Sequence, residues 1–140
     1  MKILDTVVLA LLVRRPPDQR IVHQLAQLTL TQRAATTAVN VAEVYYGLAR
    51  MRDGSALRHR YETLVFPPLE ILPFSVECAE TLGNLRAELD ALGTPIGFAD
   101  SMIAAIALTY GRPVVTCNVR HFSRVTGLIV ENWLAEAESD

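Results

Sequence analysis

The sequence predicts an α/β fold: a mostly parallel central sheet of four to five strands flanked by helices. Three observations carry this expectation. Short apolar strands alternate with helical stretches along the whole chain. The 140 residues are 51% hydrophobic and only 20% charged, which fits one domain, 1–140, with a substantial core and excludes disorder by composition. The row from Phe98 to Leu108 is apolar on every face apart from Asp100 and Ser101, as expected of a helix packed inside a core.

The elements follow in order. Lys2 to Leu4 read as a first strand ending at Asp5, and Val7 to Val13 as a helix stopped before Pro16-Pro17. Asp18 is placed to cap a helix carrying Ile21, Val22, Leu25 and Leu28 at helical spacing. Ala34 to Thr37 form a second strand, and a helix from Ala38 to Met51 is expected to stop at Gly54. Ser55 opens a short helix that fades before Pro67-Pro68, and Leu69 to Phe74 read as a third strand. Ser75 caps a long helix that ends at Gly93, and Gly97 and Gly111 bracket the apolar helix. Pro113 to Thr116 and Leu128 to Val130 are the last strands, followed by a final helix carrying Trp133 and Leu134.

Net charge is −2, but the charges are segregated. Residues 14 to 60 carry eight arginines against Asp18, Glu43 and Asp53, whereas residues 61 to 140 carry four arginines against eleven acids. A local basic surface is compatible with this, as is an ordinary solvated surface of mixed sign. Cys78 and Cys117 are too few and too far apart for a disulfide framework or a zinc site. No apolar run approaches the roughly 18 residues needed to cross a bilayer. A soluble protein of the reducing cytoplasm, without membrane contact, is the expectation.

In sheets of this kind, ligands gather beyond the carboxyl ends of the strands. Asp5, Glu43, Asp100 and Asn118 are four polar positions that can converge there. Three carboxylates supply most of a site for a hard divalent cation, and without one they would repel each other. Taken singly, each has a plainer reading: Asp5 as a helix cap, Glu43 as part of a solvated stripe with Asn40, Gly47 and Arg50, Asp100 as a charge favoured by the helix dipole, Asn118 as a cap for 119–123.

The chain resembles the PIN-domain ribonucleases, specifically the VapC toxins of bacterial type II toxin–antitoxin pairs. The matching stretches are Leu-Asp-Thr at 4–6, Val-Ala-Glu-Val-Tyr-Tyr-Gly at 41–47, Gly-Thr-Pro-Ile-Gly-Phe-Ala-Asp-Ser-Met-Ile-Ala at 93–104, and Val-Thr-Cys-Asn-Val-Arg-His-Phe-Ser-Arg-Val at 115–125. This resemblance implies an endoribonuclease dependent on Mg²⁺ or Mn²⁺ that cuts structured RNA such as tRNA or rRNA and is inhibited by a cognate VapB antitoxin. It implies Asp5, Glu43 and Asp100 as metal-binding carboxylates, Asn118 as a fourth catalytic position, and Thr6 and Thr116 as hydroxyls that orient them. A homodimer within a larger toxin–antitoxin assembly is the implied state. Two departures stand out: Val7 replaces the polar residue the family often has after Asp-Thr, and Asn118 is neutral where many members carry an acid.

Arg50, Arg52, Arg58 and Arg60 are candidate contacts to RNA phosphates or to the antitoxin. His23, His59 and His121 lack metal-ligand spacing, and only His121 lies near the proposed site. Tyr45 and Tyr46 read as packing or dimer contacts. The competing reading is a catalytically weak PIN-fold module that binds RNA or protein. A phospho-acceptor receiver domain would need a lysine late in the sheet, and the only lysine is Lys2. A phosphatase of the Asp-x-Asp kind fails because Val7 stands two residues after Asp5.

Overall fold

The computed structural model describes residues 1–28 and 32–135. Its centre is a five-stranded sheet in the order β3-β2-β1-β4-β5, with every pairing parallel. The strands are β1 (Lys2–Leu4), β2 (Ala34–Thr37), β3 (Glu70–Leu72), β4 (Val114–Val115) and β5 (Val130–Glu131). Ile3 pairs with Ala35 on one side and Val114 on the other. The chain therefore builds outward from β1 in one direction and then returns to build in the other. The switch between β1 and β4 leaves a crevice at their carboxyl ends.

Helices cover both faces. Thr6–Val13 (α1), Gln19–Ala26 (α2), Ala38–Arg50 (α3) and Ser55–Arg60 (α4) lie on one side, and Val76–Ala91 (α5) and Phe98–Tyr110 (α6) on the other, with Val119–Phe122 (α7) near the last strands. Because successive side chains of a strand point to opposite faces, Ile3 and Val114 enter one core layer with Leu85, Ile103 and Ile106, while Leu4 and Val115 enter the other with Leu9, Val44 and Tyr61. All four of these strand residues are fully buried, which is why the strands read as unbroken apolar runs. Among the described residues, no helix is long and apolar enough to cross a membrane.

Local chemistry explains the element ends. The Asp18, Thr37 and Ser75 side chains accept the N–H groups of Arg20, Asn40 and Cys78. Gly111 closes α6 at φ 64°, a left-handed conformation that glycine adopts without a Cβ penalty.

Three sequence expectations are corrected. Gly54 does not end α3, which closes at Met51; it is the residue before α4, and a Cβ there would stand 2.8 Å from the Leu48 carbonyl oxygen. The helix from Ser55 does fade before Pro67, and its last part is a π turn over Tyr61–Val65 that puts Tyr61 and Val65 in the core. The third strand is shorter than 69–74 because Pro73 has no N–H to donate. Trp133 and Leu134 lie in a turn held by the Asn132 side chain, which accepts the Leu134 N–H, rather than in a helix; residues 136–140 lie outside the described residues.

Candidate functional site

Asp5 leaves β1 with its own N–H donated to the Val115 carbonyl, and its carbonyl accepts from Val8 and Leu9 in the first turn of α1. Its backbone occupies the cap position, but its carboxylate makes no capping bond. Asp5 Oδ1 instead accepts from Asn40 Nδ2 at 3.0 Å, and Oδ2 accepts from Thr116 Oγ1 at 2.7 Å. The cap reading of Asp5 thus gives way to that of a carboxylate held from two sides.

The neighbouring groups form one connected network. Thr37 Oγ1 donates to Asn40 Oδ1, Asn40 Nδ2 also reaches Thr6 Oγ1, and Thr6 Oγ1 donates to Glu43 Oε1 at 2.8 Å. Glu43 is half-buried and hydrogen-bonded, not a member of a solvated stripe. On the other side, Thr116 Oγ1 accepts the Asn118 N–H, and Asn118 Nδ2 donates to Asp100 Oδ2 at 3.2 Å. Asn118 makes no capping bond to α7; its amide also approaches His121 Nδ1 at 3.1 Å. Thr6 and Thr116 therefore each touch a carboxylate.

Asp5, Thr6, Glu43, Asp100 and Asn118 line a single open cleft of about 630 Å³, together with Val7, Ala10 and Cys117. Among the described residues, no Lys or Arg forms an ion pair with Asp5, Glu43 or Asp100; His121 Nδ1 lies 3.6 Å from Asp100 Oδ2. Burial, together with the charges of Asp5 and Asp100, pushes the Glu43 carboxyl above its ordinary pKa, against the Thr6 hydrogen bond. Burial and the Asp5 charge push Asp100 up in the same direction, against the pull of His121. The cleft thus concentrates negative charge that, among the described residues, no lysine or arginine pairs with.

The carboxylates and the Asn118 amide offer oxygen donors, which suit a hard cation such as Mg²⁺ or Mn²⁺. Among the described residues, no three His, Cys, Asp or Glu side chains close to chelating distance. The carboxylates surround an open cleft, with room for water and a substrate phosphate, and do not form a closed cage.

The four arginines singled out in the sequence do not line the cleft. Arg58 is paired with Glu62 and lies over the Tyr45 ring, and Arg50 lies over Tyr46. Tyr45 also packs against Phe66, while Tyr46 is exposed. Sequence reasoning missed Asn40 as a member of the site. It is fully buried and links Thr37, Asp5 and Thr6. The available signal was an amide in the first turn of a helix, three residues after a threonine cap.

A five-stranded parallel sheet with an acidic cleft at its switch point defines a class, and comparison with known proteins identifies it. The PIN-domain family model matches residues 2–128. Ribonuclease VapC2 of Rickettsia felis is 31% identical over 130 residues, covering 93% of this chain and 96% of that one. The tRNA(fMet)-specific endonuclease VapC of Salmonella typhimurium is 34% identical over 103 residues, covering 74% and 77%. Among solved structures, VapBC2 from Rickettsia felis bound to a promoter DNA fragment superposes with a TM-score of 0.87 at 30% identity, covering 94% of this chain and 98% of that one. The chain belongs to the PIN-domain family and, within it, to the VapC ribonucleases.

Proposed function

We propose that the cleft hydrolyses phosphodiester bonds in structured RNA such as tRNA or rRNA with the aid of Mg²⁺ or Mn²⁺, and that the chain acts as the toxin of a type II toxin–antitoxin pair in the cytoplasm. One observation carries the reading: three carboxylates from separate elements face one cleft, and among the described residues no lysine or arginine pairs with them. In this reading Asp5, Glu43 and Asp100 hold the cation. A bound cation supplies a water of lowered pKa and positive charge opposite the phosphate oxygens.

The chain's own groups do the positioning. Asn40 and Thr116 fix both oxygens of Asp5, and Thr6 orients Glu43. Asn118 keeps Asp100 turned toward the cleft and offers a neutral amide oxygen where a fourth acid would add charge. An apolar groove of about 260 Å³ begins at Thr6 and Glu43 and continues along Leu48, Met51, Leu57 and Tyr61. A VapB-type antitoxin laid in this groove would bring a basic side chain to the acids and compete with the cation. A homodimer within a larger assembly fits the same reading, with the exposed Arg50 and Arg52, and Arg58 and Arg60, available to RNA or antitoxin.

The test is to incubate antitoxin-free protein with total bacterial RNA and Mg²⁺ or Mn²⁺, beside EDTA and Asp100→Asn controls, and to map new RNA ends. Discrete cuts absent from both controls are expected. A folded, metal-loaded wild type that leaves RNA intact would favour the binding-module reading instead.

A further inference from the structure

His121 does not line the acidic cleft, yet its ring touches two residues that do. Asn118 stands at the cap position of α7, with its own N–H held by Thr116 Oγ1. His121 follows three residues later in the same short helix, one position before the fully buried Phe122. From there its Nδ1 lies 3.1 Å from Asn118 Nδ2 and 3.6 Å from Asp100 Oδ2.

Donors and acceptors here admit one arrangement. A carboxylate only accepts, so the amide atom that faces Asp100 Oδ2 at 3.2 Å is the nitrogen. The same nitrogen faces His121 Nδ1, which must then accept as well, and the ring proton sits on Nε2. Both hydrogens of the Asn118 amide are thereby used, one on Asp100 and one on His121. Its oxygen is the free end: among the described residues no donor reaches Oδ1, and it is not a buried orphan. The terminal torsion of an asparagine is broad, so one bond would leave the amide free to swing. Two acceptors in different directions fix its plane.

We propose that His121 is a positioning residue of the cation site: its Nδ1 holds the second N–H of Asn118 and so keeps the amide oxygen, rather than the amide nitrogen, available to the ion beside Asp5, Glu43 and Asp100. The inference rests on the metal-dependent reading of the cleft and deepens it. Asp100 is itself a ligand in that reading, and an oxygen engaged there holds the Asn118 N–H less firmly. The bond to His121 is then the one that stops the amide from turning its hydrogens inward. Groups that orient a ligand from behind typically change metal affinity by about 10–100-fold when removed.

Two measurements on the full-length protein test this. The first is the nitrogen NMR spectrum of the His121 ring in metal-free wild type at about pH 8, above the ordinary imidazole range. The Nε2–H tautomer is expected, and in His121→Leu the Asn118 side-chain N–H signals should shift. The second is calorimetric titration with Mn²⁺. His121→Leu should bind about tenfold more weakly, and His121→Asn, whose side-chain oxygen can accept where Nδ1 does, should recover most of the loss. In an Asn118→Ala background, His121→Leu should cost nothing further.

An Nδ1–H tautomer would overturn the proposal, and because it is read on wild type this holds even where His121→Leu does not fold. So would equal Mn²⁺ affinity in wild type and His121→Leu, or a full loss on His121→Leu in the Asn118→Ala background, since His121 would then act through Asp100. The ribonuclease reading fails separately. Wild type that binds Mn²⁺ but cuts no RNA removes that reading and leaves the role of His121 standing; wild type that cuts RNA while His121→Leu binds Mn²⁺ equally well does the reverse.

Discussion

Asn40 Nδ2 stands 3.0 Å from Asp5 Oδ1 and joins the first turn of α3 to the carboxyl end of β1. The amide is fully buried and its oxygen accepts from Thr37 Oγ1, so its orientation is set before it meets Asp5. Asn40→Ala leaves Thr37, Thr6 and Asp5 short of a partner inside the protein. It should lower stability by about 1–3 kcal/mol, the cost of orphaned buried polar groups, and reduce RNA cleavage at the same time. Urea denaturation and end-mapping on the same preparation check both halves; an unchanged midpoint would show that Asn40 is not a structural link.

The raised pKa values of Glu43 and Asp100 have a definite sign. A carboxyl whose folded-state pKa exceeds its unfolded value binds its proton more tightly in the folded chain, so the metal-free protein loses stability as pH rises through that range. Glu43→Gln and Asp100→Asn should therefore melt higher than wild type at neutral pH in EDTA, with the difference vanishing as pH falls below the ordinary carboxylate range. Divalent cation should raise the wild-type melting temperature more than that of either variant.

Asp18 behaves in the opposite way. Its hydrogen bonds and charge pairing with Arg20 hold its pKa down to about 2, from an ordinary value of 3.8. Its contribution is complete above the unfolded value and is lost as pH falls through the folded one. Wild type should lose stability more steeply than Asp18→Asn between pH 3.8 and about 2. Parallel acid-denaturation curves would remove the Arg20–Asp18 pair as a cause.

Asn118→Asp replaces the amide that donates to Asp100 with another negative charge. Metal-free protein should become less stable and cation affinity should rise, because the same charge that repels Asp100 attracts the ion. Calorimetric titration with Mn²⁺ measures the second effect; weaker binding than wild type would mean that residue 118 does not face the ion.

Gly54→Ala places a methyl group 2.8 Å from the Leu48 carbonyl oxygen, against backbone that has no rotamer to yield. A loss of about 1–3 kcal/mol is expected by denaturation, with cleavage of RNA by the folded fraction unchanged.

The strands and most helices were legible because they depend on local pattern, apolar runs and glycine stops; of the cleft carboxylates Asp5 stood out as an acid after a strand and Asp100 as an acid in an apolar helix, whereas Glu43, inside α3, was carried by the family resemblance. Asn40 was not, because its importance arises from a bond across 35 residues of sequence, and no periodicity reports such a bond. The capping roles assigned to Asp5 and Asn118 failed for a related reason. Each has the backbone of a cap, and only tertiary partners decide where its side chain goes. The π turn after Arg60 escaped because Tyr61 and Val65 gain burial that outweighs poorer backbone geometry, a balance set by α1 rather than by the segment itself.

The adjacency of β1 and β4 has a consequence for the making of the protein. Asp5 is synthesised 111 residues ahead of Thr116, which holds its second oxygen. A growing chain on the ribosome therefore carries Asp5 and Glu43 long before the strand that completes their cleft exists. Until β4 has been made and paired with β1, Asp5 has only one of its two anchors.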